Sequence, residues 1–221
     1  MILVCIPEIK PHPRFWPSVT QFFVENQKKH DLVMHWEYRE ALHNVWRRTA
    51  ERAITEGATH VLFFEDDHWM HPVDGLDVLL EADKQHIAFN TMQRRNPQRN
   101  STLDRRDPNG RLDAGDNVVV GKKGEDLVQA VDLIGMYFTL IKTDLLKRIF
   151  QLEQETGICR FFWDERGPDV HICQAILDLG ETPHVHWKYL LSHNDVTNST
   201  RSLYYQIYQL NRMAGLQQPY I

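Results

Sequence analysis

Apolar residues of this chain fall into short runs and helical stripes that alternate from the start. Ile2 to Ile6 is an unbroken apolar run closed by Pro7, which predicts a buried first strand and then a loop bearing Pro11, Pro13 and Pro17. Pro17 stands in the first turn of a helix whose Val19, Phe22 and Phe23 share a face. Leu32 to Trp36 predicts a second strand. Leu42, Val45, Trp46, Ala50, Ala53 and Ile54 then recur at helical spacing, Arg47, Arg48, Glu51 and Arg52 fall elsewhere, and Gly57 is placed to end the helix. Val61 to Phe64 is a third strand. Asp74 and Asp77 precede Val78-Leu79-Leu80 as an N-cap and a first-turn acid, and His86 to Thr91 reads as a fourth strand. The order β-α-β-α-β-α-β predicts an α/β fold, a mainly parallel central sheet flanked by helices.

The pattern then changes. Asn117 to Val120 is a short β-like piece, and Val128 to Ile141 is a long apolar segment broken by Gly135, a residue that marks a bulge or a close approach inside a strand. Thr143 or Asp144 opens the next helix. Residues 168 to 180 predict a helix with Pro168 at its first position, Ile172, Cys173, Ile176 and Leu177 inward and Gly180 at its end. A strand from His184 to Leu190 and a helix from Ser199 to Ala214 follow. No repeat and no Pro/Gly/Ser-rich linker divides the chain, so a single domain over 1–221 is expected, with a first half at 1–92, a basic loop at 93–127 and a second half at 128–221.

Composition narrows the classes. Of 221 residues, 42% are apolar and 25% charged, which is ample for a core and excludes a disordered or fibrous chain. A net charge of -5 argues against a broad basic surface for duplex DNA. Local charge differs: six arginines, Arg94, Arg95, Arg99, Arg105, Arg106 and Arg111, share a stretch rich in Asn, Pro and Gly, which is either a solvated loop or a lid over phosphates. Cys5, Cys159 and Cys173 are widely spaced without a CxxC, which suggests a reducing compartment, with Cys5 and Cys173 as small core residues. The N-terminal MILVCIPEIKP lacks the features of a signal peptide, and Leu133 to Ile141 is about half the length that crosses a bilayer, so no transmembrane segment and a cytoplasmic location are expected.

Chemistry concentrates where the third strand leaves the core. Glu65, Asp66 and Asp67 follow Phe64 directly, at the end of the strand where open α/β sheets bind ligands. Adjacent acids repel one another, and a hard cation, Mn²⁺ or Mg²⁺, resolves the repulsion. In an extended chain Glu65 and Asp67 point to one side and Asp66 to the other. The plain alternative is an acidic turn between a strand and a helix.

Three features in chain order resemble the nucleotide-sugar-dependent glycosyltransferases of the GT-A fold, in particular the inverting group like family 2. These are ILVCIP followed by alternating helices and strands; VLFFEDDHW, similar to the metal-binding Asp-x-Asp element; and VDLIGMYFTLIKTDLLKRI with FFWDERGPDVHICQAILDLG, similar to the acceptor-side strand and the helix after it. The resemblance covers residues 1 to 195 and implies a GT-A (nucleotide-diphospho-sugar transferase) fold, with a nucleotide-binding half at 1–92 and an acceptor half beyond 128. It implies Asp67 as the direct ligand of Mn²⁺ or Mg²⁺, with His193 completing the metal site. Glu65 or Asp66 would lie near the ribose or the metal shell, and Pro7 and Glu37 would lie along the nucleotide. Asp169 would match the catalytic base. Two positions depart from the pattern: the Gly-Glu-Asp segment is Gly167-Pro168-Asp169 here, so that Asp164 or Glu165 could substitute, and Glu65 replaces the first aspartate.

The implied reaction moves a sugar from a nucleotide-diphosphate donor to an acceptor hydroxyl. A cation would neutralise the charge that grows on the diphosphate, and a carboxylate would remove the hydroxyl proton. A nucleotidyltransferase or other phosphoryl-transfer enzyme is the second reading, and a non-catalytic nucleotide-sugar-binding module the third. The arginine stretch permits a polyanionic acceptor such as modified DNA. His184 and His186 alternate along a strand and face one side, as two metal ligands can, and His68 and His71 read as outer or surface residues beside the acids. Trp36, Tyr38, Trp69 and Trp163 could stack on a base or a sugar.

Overall fold

The computed structural model describes residues 1–9, 11, 13–68, 71–91, 127–162 and 167–191. The piece at 117–120, the arginine stretch, Trp69, Trp163, Asp164, Glu165, His193 and the helix at 199–214 lie outside the described residues.

The first half folds in the expected order. β1 (Ile2–Glu8) sends Ile2, Val4 and Ile6 to one face and Leu3 and Cys5 to the other, and both faces are buried, which is why the run is continuously apolar. β2 (Leu32–Tyr38) alternates instead, because it is an edge strand of the sheet. α1 (Phe15–Asn26) buries Phe15, Val19, Phe22 and Phe23, and α2 (Leu42–Glu56) buries Val45, Trp46, Thr49, Ala50 and Ala53. Gly57 ends α2 at a φ of 70°, the left-handed conformation that lets its N–H return to the carbonyls of Ala53 and Ile54. β3 (His60–Phe64), α3 (Gly75–Glu81) and β4 (His86–Thr91) complete this half.

The second half holds the topological surprise. The apolar segment at 128–141 is two strands, β5 (Val128–Ala130) and β6 (Phe138–Lys142), joined by a crossing stretch at 131–137. α4 (Thr143–Thr156), α5 (Pro168–Asp178) and β7 (His184–Leu191) follow. The sheet order is β2-β1-β3-β6-β4-β7-β5. β1 runs parallel to β2 and β3, β6 lies antiparallel between β3 and β4, β4 is parallel to β7, and β5 is antiparallel at the far edge. Five strands therefore share one direction, as expected of a mainly parallel sheet, while β5 and β6 oppose it.

α1 and α3 cover one face of the sheet through Phe15, Phe22, Leu76 and Leu79. α2, α4 and α5 cover the other through Trp46, Leu146, Ile149, Ile172 and Ile176. Cys5 and Cys173 are buried, as expected of small core residues, and all three cysteines are free. No helix among the described residues is long and apolar enough to cross a membrane.

Candidate functional site

β1, β2 and β3 are parallel, so their carboxyl ends meet at one rim of the sheet, and β6, running the other way, brings its first residues to the same rim. Phe64 is fully buried opposite Phe138 of β6, and the chain turns at once. The His68 N–H reaches back to the Glu65 carbonyl at 3.4 Å, a turn rather than a continued strand. That turn gathers one donor atom each from Glu65, Asp67 and His68 within 4.8 Å of one another. The acidic turn and the candidate cation site are thus one feature.

Asp66 is engaged elsewhere. Its Oδ2 accepts the Ile9 N–H at 2.6 Å, and at 8% exposure it ties the end of β1 to the end of β3. Asp67 keeps company with His68: Asp67 Oδ1 and His68 Nδ1 are 2.9 Å apart, and His68 Nε2 lies 3.2 Å from Thr91 Oγ1 at the end of β4. The His68 imidazole is 1% exposed and its ring lies 4.5 Å from that of Tyr137. Two carboxylates on a turn, beside a buried imidazole, form a donor set that fits a hard divalent cation.

Of the two expectations for His68, an outer or a surface residue beside the acids, burial at 1% exposure removes the surface one. Its only sequence signal is its place three residues after Glu65, which a turn converts into proximity. His71 is also buried, but in an aromatic pocket of Phe15, Phe64 and Phe138, with Nδ1 2.8 Å from Ser18 Oγ. Burial, reinforced by the charge of His68, lowers its pKa to about 3. Its role is to fasten α1 to the loop before α3.

Of the other expected residues, Pro7 and Glu37 stand near the carboxyl ends of β1 and β2. Pro7 pairs with Glu37 across β1 and β2, and β3 pairs only with Ile2 to Cys5, so the missing N–H of Pro7 falls beyond the β3 ladder. Glu37 receives Arg48 Nε at 2.9 Å, a second contact from Arg48 Nη2, and His35 Nε2 at 3.1 Å. Trp36 is 50% exposed, and its indole N–H donates to Glu8 Oε2 at 2.6 Å. Tyr38 is exposed beneath the Arg39 guanidinium.

Asp169 lies in the first turn of α5, after Gly167 at a φ of 88° and Pro168 at the expected first position. The positive φ favours glycine there, and a Cβ would also displace the Asp169 carboxylate, 2.8 Å away at Oδ1. Burial pushes the Asp169 carboxyl up to about 6, against the backbone N–H groups of Val170 and Asp169. One turn on, Cys173 Sγ lies 3.5 Å from the Ile134 carbonyl, and Val170 and Cys173 pack on Val131, Leu133 and Ile134. The stretch at 131–137 therefore runs from α5 to Tyr137 and the acidic turn.

The two strand histidines stand apart from that turn. His184 pairs with Ile87 at the opposite end of β4, and His186 packs against Phe89 while its Nδ1 accepts the Lys188 N–H at 3.1 Å. Asp74, at the N-cap position of α3, makes no cap bond. Its carboxylate instead holds Lys188 Nζ at 2.8 Å and Tyr189 OH at 2.6 Å, where β7 bulges between Phe89 and Asn90 of β4.

No protein-family model matches the chain, and no curated protein matches it. Among solved structures, the crystal structure of A197 from STIV matches at a TM-score of 0.52 and 14% identity, over 90% of this chain and 97% of that one. The 4-diphosphocytidyl-2C-methyl-D-erythritol synthase from Anaerococcus prevotii DSM 20548 matches at 0.45 and 9% identity, over 97% and 98%. An apo UDP-glucose pyrophosphorylase matches at 0.39 and 10% identity, over 87% and 74%. Likeness at this identity is a likeness of fold, and the first of these matches shows a shared α/β architecture with A197, leaving the chemistry to the residues at the rim.

Proposed function

We propose that this chain is a divalent-cation-dependent transferase of nucleotide-diphosphate donors, and that the group it moves is a sugar, delivered to an acceptor hydroxyl. The observation that carries this reading is the convergence of Glu65, Asp67 and His68 at the carboxyl end of β3. Asp67 is the ligand of Mn²⁺ or Mg²⁺, and Glu65 offers a second oxygen. The cation supplies Lewis acidity toward the donor diphosphate. Asp66 serves the donor indirectly, by holding the backbone at Ile9 against the rim.

Asp169 is the general base. A carboxyl that titrates at about 6 is charged at neutral pH yet basic enough to take a hydroxyl proton, and such a group is worth about 10²- to 10⁴-fold. The exposed aromatic edge at Trp36 and Tyr38, with Pro7 and Glu37 beside it, lies where the nucleotide would rest. His193 remains a proposed further ligand, and Arg94 to Arg111 a proposed contact to phosphates or to a polyanionic acceptor such as modified DNA.

The experiment is a thermal-shift screen of UDP, GDP and CDP with Mn²⁺ or Mg²⁺, followed by a product assay. Release of a nucleoside diphosphate from a nucleotide sugar is the expected result. Release of pyrophosphate from a nucleoside triphosphate would instead make the chain a nucleotidyltransferase. Asp67→Ala is expected to abolish both the cation-dependent stabilisation and turnover, and retention of both would end the reading.

A further inference from the structure

We infer that the outer edge of β2 is a self-association surface, and that its partner is a second copy of this chain, the two β2 strands pairing antiparallel about a two-fold axis at His35. The inference goes beyond the proposed chemistry, since it concerns the edge of the sheet and not the rim where the acids gather.

β2 ends the sheet, and its pairing with β1 uses only half of its backbone groups. The Ile2 N–H donates to the Asp31 carbonyl and the Arg39 N–H to the Glu8 carbonyl, so the odd-numbered residues turn their backbone toward β1. By alternation Leu32, Met34, Trp36 and Tyr38 turn theirs outward, where no strand among the described residues meets them. Sheets usually blunt such an edge with a short strand, a proline, a bulge or a charge. β5, at the opposite edge, is three residues long. β2 is seven residues long, pairs with β1 without a bulge, contains no proline, and carries Leu, Met, Trp and Tyr at its outward positions.

The strand is also complementary to itself. With the axis at His35 the two copies overlap along all of β2, Met34 lies opposite the second copy's Trp36, and Leu32 lies opposite its Tyr38. Every outward residue is then in a hydrogen-bonded pair, which makes roughly eight backbone hydrogen bonds, about the number of an ordinary interface. Just beyond the strands Asp31 of each copy falls opposite Arg39 of the other. The Asp31 side chain is 76% exposed, with Oδ2 3.7 Å from the Met1 amino group, and Arg39 is exposed over the Tyr38 ring. An axis at Met34 would instead oppose Asp31 to Glu37, and one at Glu37 would oppose that carboxylate to itself. At His35 two neutral rings meet, because burial lowers the pKa of that histidine. α2 packs over β1 and β3, which leaves room beside β2. Pairing joins edges and leaves open the face that carries Trp36 and Tyr38, so the second copy extends the proposed nucleotide surface without covering it.

Sedimentation equilibrium of the full chain, without cation or nucleotide, tests the inference over micromolar to millimolar concentration. The mass is expected to rise from that of one chain toward that of two. Met34→Pro removes an outward N–H that β1 does not use, and should raise the dimer Kd about tenfold or more. Asp31→Arg and Arg39→Asp should each weaken the dimer several-fold and, combined in one chain, restore it. In a Cys159→Ser background, His35→Cys should form a disulfide between copies on mild oxidation, because the two Cα atoms would stand about 4.5 Å apart, whereas Val33→Cys should not. The charge reversals and the cross-link carry the test if Met34→Pro does not fold. A monomer at every concentration would overturn the inference. So would a dimer indifferent to Met34→Pro and to the reversals, or one that cross-links no better through His35→Cys than through Val33→Cys. Neither cation nor donor enters the experiment, so these outcomes leave the proposed function standing.

Discussion

Asp169 is held between opposed influences: two backbone N–H groups at the start of α5 favour its charge, while burial disfavours it and wins, raising the pKa from 3.8 to about 6. Two consequences follow, with opposite signs. As the proposed base Asp169 must be ionised, so turnover should rise with pH through about 6, and Asp169→Asn should lower kcat by about 10²- to 10⁴-fold and erase that limb of the profile. For stability, a folded pKa above the unfolded one is a contribution fully present below 3.8 and lost as pH rises through about 6. Asp169→Asn should therefore melt higher than the wild type at pH 8 and no higher at pH 4, which scanning calorimetry at both values would check. At this scale the sequence placed Glu65, Asp66 and Asp67 directly after β3 and Asp169 in the first turn of α5, which is where they stand. That His68 is buried among the acids was not legible, because it depends on a tight turn at 65–68, and neither hydrophobic period nor charge reports such a turn.

Elements were legible in proportion to their periodicity. β1, α1, β2, α2, β3 and β4 follow from alternating and helical patterns, and Gly57 and Pro168 mark helix ends for reasons of backbone geometry alone. Val128 to Ile141 was opaque, because an apolar run specifies burial but neither strand direction nor partner. Gly135 did signal a close approach, though by the chain's own Tyr137 rather than by a ligand. Gly135→Ala is accordingly expected to displace the Tyr137 ring at a cost of about 1–3 kcal/mol, the usual range for overpacking. It should also weaken Mn²⁺ binding, because the same ring packs on His68. Urea unfolding beside a Mn²⁺ titration would read both effects, and a variant as stable as the wild type would show that the ring can move without loss.

Across the whole molecule, burial of histidines sets the acid limit. His71 and His86 are lowered from 6.5 to about 3 by desolvation, helped by the charges of His68 and His184 respectively. Each binds a proton more readily when unfolded, so its contribution is complete above 6.5 and is lost as pH falls toward 3. The loss is at most about 1.4 kcal/mol per pH unit for each group. Denaturation midpoints should fall steadily below pH 6.5, and His86→Leu should flatten the decline; an unchanged slope in that variant would mean that other groups carry it.

β6 has a kinetic meaning as well as a structural one. Without it the described sheet separates into β2-β1-β3 and β4-β7-β5, and its closure joins Phe64 to Phe138 across the middle third of the chain. Contacts of such long sequence separation form late, since the entropy of closing the loop must be overcome before they reward it. The β2-β1-β3 half can then gather locally, whereas the pairing of β4 with β7, Ile87 to His184, spans a still longer separation, and the acidic turn acquires Tyr137 and Thr91 only when β6 and β4 dock beside β3. In pulse-labelled hydrogen exchange the amides of β6 and β7 should gain protection after those of β1 and β2, together with any capacity to hold Mn²⁺.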